Sequence, residues 1–133
     1  MSYGVKMRPL RIILDFLSYD GTLTTNDPAD ATKVKNKIEE SDVSEVSRQQ
    51  LVLPDATTDQ AINLPDASCD YLLILVDRQV SIKLNGSSDA IILKPRANGS
   101  KSLAFLNKGT ITALTMSNAS GSDAKIDVLA VKI

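Results

Sequence analysis

The chain has 133 residues, a formal net charge of −1, no histidine, no tryptophan and one cysteine, Cys69. The missing imidazole excludes Ser-His-Asp and Cys-His nucleophile systems and the usual Cys/His zinc sites, and a lone cysteine excludes an intrachain disulfide. Scattered, near-neutral charge does not suit duplex binding, which rests on clustered Lys and Arg.

The length suits a single domain over residues 1–133, with 1–9 as an N-terminal arm. A chain of this size buries about two-thirds of its surface, so the core is modest and assembly would help to hold it. Met1 to Arg8 carries no apolar h-region, and the longest apolar run, Tyr71 to Val76, is far too short to cross a membrane as a helix. These features predict a soluble product made in the cytosol and no membrane partner.

The periodicity is that of strands. Leu10, Ile12, Leu14 and Phe16 alternate with Arg11, Ile13 and Asp15 after Pro9, which suits a strand start. Tyr19-Asp20-Gly21-Thr22 reads as a turn. The stretch 27–47 admits two readings. Asp27-Pro28 would cap a helix, whereas Lys33, Lys35 and Lys37 alternating with Val34, Asn36 and Ile38 describe an edge strand guarded by lysines. The strand is preferred, with Glu39 to Glu45 as an exposed polar loop.

Leu51 to Leu53 stops at Pro54, and Gln60 to Leu64 stops at Pro65. Tyr71 to Val76 is apolar at every position, as expected of a central strand covered on both faces. Asp77-Arg78-Gln79 turns the chain into Val80 to Leu84, and Asn85-Gly86 then gives the strongest short-range hairpin signal. Ala90 to Leu93 returns. Asn98-Gly99 marks a turn before Leu103 to Leu106, and Asn107-Lys108-Gly109 another before the β-branched run Thr110 to Met116. A loop at 118–122 precedes the closing strand Ile126 to Ile133.

Turn signals recur roughly every 10 to 13 residues from Pro54 to Gly121, and no helical pattern alternates with the strands. The fold class is therefore all-β: two packed antiparallel sheets, a β-sandwich of eight to ten strands.

No catalytic, cofactor or metal motif emerges. Leu53-Pro54-Asp55 to Asp59 echoes Leu64-Pro65-Asp66 to Asp70, which reads as two similar turns whose Asp bonds its own backbone, not as a Ca²⁺ loop. Asp15, Asp20, Asp27 and Asp30 also look like turn chemistry, not a glycosidase pair. The triplets at Asn85, Asn98 and Asn118 match the glycosylation acceptor pattern, but turn composition accounts for them. Cys69 reads as a small half-buried residue. Lys33, Lys35 and Lys37, followed by Glu39, Glu40 and Glu45, form a charge dipole along the chain. Such a dipole suits a solvated edge, or an interface where the basic row of one copy meets the acidic loop of the next.

One set of phrases runs from residue 59 to the end. It comprises Asp59 to Leu64, Tyr71 to Ile74 with Asp77, Val80 to Gly86, Phe105-Leu106 with Gly109, Ile111-Thr112-Ala113-Leu114-Thr115-Met116-Ser117-Asn118, and an Ala/Val-rich last strand. This set resembles small virion structural proteins of tailed bacteriophages. The resemblance implies a jelly-roll-like sandwich, made in the host bacterial cytoplasm and built into the virion, without enzyme activity or cofactor. A homotrimeric head decoration or cement protein bound to the major capsid protein is the expected role. Alternatives are a head-tail junction or tail protein, or a carbohydrate-binding module whose sugar platform would include Tyr19 and Tyr71.

Overall fold

The computed structural model describes residues 9–18, 32–64, 68–97 and 99–133, with all their side chains except those of 17, 18 and 107–110. Residues 1–8 of the expected arm therefore lie outside the described residues. The chain divides into two compact units, Met1–Val43 and Ser44–Ile133. The eight strands of the sandwich all lie in the second unit.

In the first unit, β1 (Leu10–Ser18) pairs antiparallel with β2 (Thr32–Glu40) as a two-stranded ribbon. The ambiguous 27–47 stretch is thus extended through residues 32–40, as preferred. The register puts Leu10, Ile12, Leu14 and Phe16 opposite Glu40, Ile38, Asn36 and Val34. Directly opposed residues share a face, so one side of the ribbon is mainly apolar and the other carries every described charge but Glu40.

The second unit holds eight strands: β3 (Glu45–Leu53), β4 (Thr57–Ile62), β5 (Cys69–Val76), β6 (Val80–Leu84), β7 (Ile91–Leu93), β8 (Ser102–Ile111), β9 (Leu114–Asn118) and β10 (Ala124–Lys132). They form two four-stranded sheets, ordered β3-β10-β5-β8 and β4-β9-β6-β7. Their pairings nest. β6 pairs with β7, β5 with β8, β4 with β9 and β3 with β10, all antiparallel. That is one long hairpin rolled up until β10 meets β5 and β6 meets β9, the topology of a jelly roll.

Period-2 alternation fills the space between the sheets. Leu72, Ile74 and Val76 face inward from β5, and Ile126, Val128 and Ala130 from β10. Ile82 and Met116 meet them from the other sheet, both fully buried. Cys69 also lies in this core at 2% exposure, more buried than its flanking Ser68 and Asp70 suggested.

Four sequence expectations need correction. The loop expected at 39–45 shrinks to residues 41–44, because β2 runs to Glu40 and β3 begins at Glu45; Val43 within it is buried. Exposed edge strands tolerate charge on both faces, so the acidic run did not mark a loop. No turn forms at 107–109. β8 continues through them, and the register slips so that Tyr71 opposes Asn107 while Cys69 opposes Ile111. The surplus residues are absorbed as a bulge. The strand expected over 110–116 instead breaks at Thr112-Ala113, where the chain crosses from one sheet to the other. Finally, β5 is fully covered on one face; Leu73 and Leu75 on the other face are only half-buried.

Candidate interaction surfaces

Loop carboxylates and amides first show what they are used for. Asp55 Oδ1 accepts from the Gly121 N–H at 2.9 Å, Asp123 Oδ1 from the Asp55 N–H at 3.1 Å, and Asp77 Oδ1 from the Lys125 N–H at 2.7 Å. Asp70 Oδ2 accepts from the Ile133 N–H at 2.8 Å. Asp55 and Asp70 of the repeated phrase therefore bond backbone far from their own turns. Asp59 pairs with Lys83 at 3.2 Å, while Asp66 lies outside the described residues. Among the described residues no cluster of three potential metal-ligating side chains forms.

Asn85 sits at φ 53° and Gly86 at φ 72°, the two positive dihedrals that a type I′ turn demands. Its Oδ1 accepts from the Thr112 N–H at 2.7 Å and so secures the crossing between sheets. Asn118 is fully buried and satisfied. Its Nδ2 donates to the Leu53 and Ser122 carbonyls at 2.9 and 2.8 Å, and its Oδ1 accepts from the Ser120 N–H at 3.0 Å. A buried amide with every group occupied is a structural latch, not a modification acceptor.

The predicted interface residues separate. Lys33, Lys35, Lys37 and Glu39 share the polar face of the ribbon, opposite Leu17, Asp15, Ile13 and Arg11. Glu39 is engaged locally, 2.9 Å from Lys37 and 3.5 Å from Arg11. Glu40 lies on the other face, opposite Leu10, and Glu45 begins β3 in the second unit, in register with Lys132. The six residues thus do not form one basic row followed by one acidic loop. Asp15 is exposed on the ribbon; Tyr19, Asp20, Asp27 and Asp30 lie outside the described residues.

Two apolar surfaces stand out instead. On the ribbon, Phe16 and Val34 face one another across the strands at 61% and 60% exposure. On the second unit, the outer face of the β3-β10-β5-β8 sheet carries two cross-strand rows. One runs Arg48, Leu129, Leu73, Phe105; the next runs Gln50, Asp127, Leu75, Leu103. Leu103 is 52% exposed, and a shallow depression of about 320 Å³ lies over Leu73, Leu75 and Leu129. The signal for this face was the unbroken apolar run of β5, only one side of which faces the other sheet of the second unit.

Arg48 grips Asp127 across this face through two bonds, Nε to Oδ1 at 3.2 Å and Nη2 to Oδ2 at 2.8 Å. That hydrogen bonding holds the Asp127 carboxyl below its ordinary pKa and raises the guanidinium's. Tyr71 is 2% exposed, with its ring centroid 6.4 Å from that of Phe105. It offers no open ring for stacking a sugar, which removes one of the two platforms the carbohydrate reading needed. Burial pushes the Cys69 thiol up, reinforced by the nearby Asp70 charge. A thiol that is buried and kept protonated is a poor nucleophile.

No family model matches this chain, and no curated protein or solved structure matches it either.

Proposed function

We propose that the protein is a non-enzymatic structural component that acts by burying surface against other proteins, most specifically as a decoration or cement protein of a phage head. The observation that carries the general reading is the pair of exposed apolar β surfaces. Patches of this kind on a folded domain mark sites where another protein is received. The jelly roll supports the virion assignment by fold-level analogy, since viral capsid domains are among the proteins built on it. The phrases from Asp59 to the last strand support it by their resemblance to tailed-phage virion proteins. The major capsid protein is the partner this reading names.

The test is to express the tagged chain during phage growth and separate intact particles on a density gradient. Retention with heads at a copy number that follows capsid symmetry is the expected result. Retention with isolated tails or necks would move the protein along the virion, and a chain left at the top of the gradient would end the virion reading.

A further inference from the structure

We propose that a basic loop cluster at one end of the jelly roll binds a terminal phosphoryl group, either as the free ion or carried on a larger ligand. The site shares no residue with the two apolar faces and does not depend on the virion reading.

The rolled-hairpin topology builds this end. β3, β5, β7 and β9 finish there, and β4, β6, β8 and β10 start there. The β5–β6, β7–β8 and β9–β10 connections surround a depression of about 260 Å³, lined among others by Asp77, Arg78, Gln79, Lys94, Arg96 and Ser120. Three cations therefore stand against one carboxylate, in a chain whose formal net charge is −1. No described carboxylate forms an ion pair with Arg78, Lys94 or Arg96. Like charges gathered on loops repel one another, and an anion relieves that repulsion.

The backbone beneath these side chains is fixed. The Asp77 N–H donates to the Lys125 carbonyl at 3.3 Å, and Asp77 Oδ1 accepts from the Lys125 N–H at 2.7 Å, so the β5–β6 turn is tied to β10. The same bond occupies one oxygen of the opposing carboxylate. The Arg96 N–H donates to the Ser100 carbonyl and the Gly99 N–H to the Arg96 carbonyl, both at 3.2 Å, which closes the loop that carries Arg96. The buried Asn118 amide holds the third loop. Ser120 Oγ is engaged with the Ser122 carbonyl at 2.9 Å and serves as wall.

The donor set selects the ligand. Each guanidinium presents a planar fork that takes two oxygens, and the lysine adds a point charge. A carboxylate has only two oxygens to offer, whereas a terminal phosphoryl group has three and carries up to two charges. No aromatic side chain lines the depression, so a nucleobase finds no stacking platform. The volume falls below the roughly 300–1,000 Å³ of pockets that enclose whole small molecules, which suits one phosphoryl group with the rest of its carrier outside.

Calorimetric titration of the full chain at constant ionic strength tests this, with inorganic phosphate, phosphoserine and glutarate as probes. Saturable binding of phosphate or phosphoserine, and none of glutarate at the same concentration, is the expected result. Phosphate alone would mark a site for the inorganic ion; tighter phosphoserine would mark a phosphoryl group on a larger carrier. Arg78→Gln and Arg96→Gln should each weaken binding at least about tenfold. Lys132→Gln removes the same charge at the far end of β10 and should change it by less than about twofold, since distant exposed charges are screened. All three variants should keep the wild-type circular dichroism. Absence of saturable binding with either phosphate probe would overturn the proposal, as would an equal loss in Lys132→Gln. Glutarate bound as well as phosphate would overturn it in favour of an acidic protein segment. An oligothymidine strand bound where both phosphate probes fail would overturn it in favour of a nucleic-acid backbone. Phosphoryl binding by a chain that never joins particles would leave this inference standing and remove the virion reading; the opposite pair of results would do the reverse.

Discussion

The ribbon and the jelly roll are built from the same strand grammar and reach opposite outcomes. In the jelly roll each inward side chain meets the facing sheet, and Leu72, Ile74, Ile82 and Met116 are all at 0% exposure. In the ribbon the same alternation puts Phe16 and Val34 on an apolar face and leaves them about three-fifths exposed. Alternation sets which side of a strand is apolar; a second layer decides whether that side is stabilising. The two sheets of the jelly roll serve as each other's second layer, whereas the described residues of the first unit hold a single two-stranded sheet.

The largest test of that contrast is a pair of truncations. Ile74→Ala opens a cavity between the sheets and should cost about 3–4 kcal/mol of unfolding free energy, measured by urea denaturation of the second unit's transition. Phe16→Ala removes more carbon yet should change that transition by no more than about 0.5 kcal/mol, since an exposed ring loses little burial in the free chain. A comparable loss at Phe16 would mean the ribbon is already packed in the isolated protein.

Next in size is Asn118→Ala. It leaves the Leu53 and Ser122 carbonyls and the Ser120 N–H without their amide, and should cost about 2–3 kcal/mol. A loss under about 0.5 kcal/mol would show that the 119–123 loop holds itself and that the buried latch is dispensable.

These sites also show how far the sequence could be read. Strand positions and turn chemistry were legible because both are local: Asn85-Gly86 announces its turn from two residues. The jelly-roll order was expected from the resemblance alone and not from the residues, because pairing β3 with β10 joins the two ends of the second unit and leaves no local trace. The role of Asn118 was hidden for the same reason. Its partner carbonyl at Leu53 is 65 residues away, so within its own segment it reads as one more turn asparagine. The charged run at 39–45 looked like a loop because composition does not distinguish an exposed edge strand from irregular chain. The exposure of the two apolar faces was not legible, because an apolar run in a strand predicts that the strand is covered.

A smaller effect is expected from the Arg48–Asp127 pair. The native carboxyl titrates below its unfolded value of about 3.9, so its contribution is present above that pH and is lost as pH falls through the native value. Asp127→Asn should therefore be slightly less stable than wild type at pH 7, and the difference should close in acid. Added salt should also reduce it, because the pair lies on an open face. A difference that persists unchanged well below pH 3.9 would mean that the substitution disturbs packing at Leu75 and Gln50, its register neighbours, and that the ion pair is incidental.

The smallest effect should come from the most conspicuous charges. Replacing Lys33, Lys35 and Lys37 together with Gln alters the polar face of the ribbon, on the side away from Phe16 and Val34. Exposed pairs of this kind contribute little, so unfolding should shift by less than about 1 kcal/mol in total. Solution mass should not shift at all if the apolar face makes the contact, since that face keeps every side chain. A loss of self-association in the triple variant that Phe16→Lys does not reproduce would assign any contact of the ribbon to its lysine side. The ribbon would then be held by charge steering and not by burial, and its likeness to an unfinished sandwich layer would be lost.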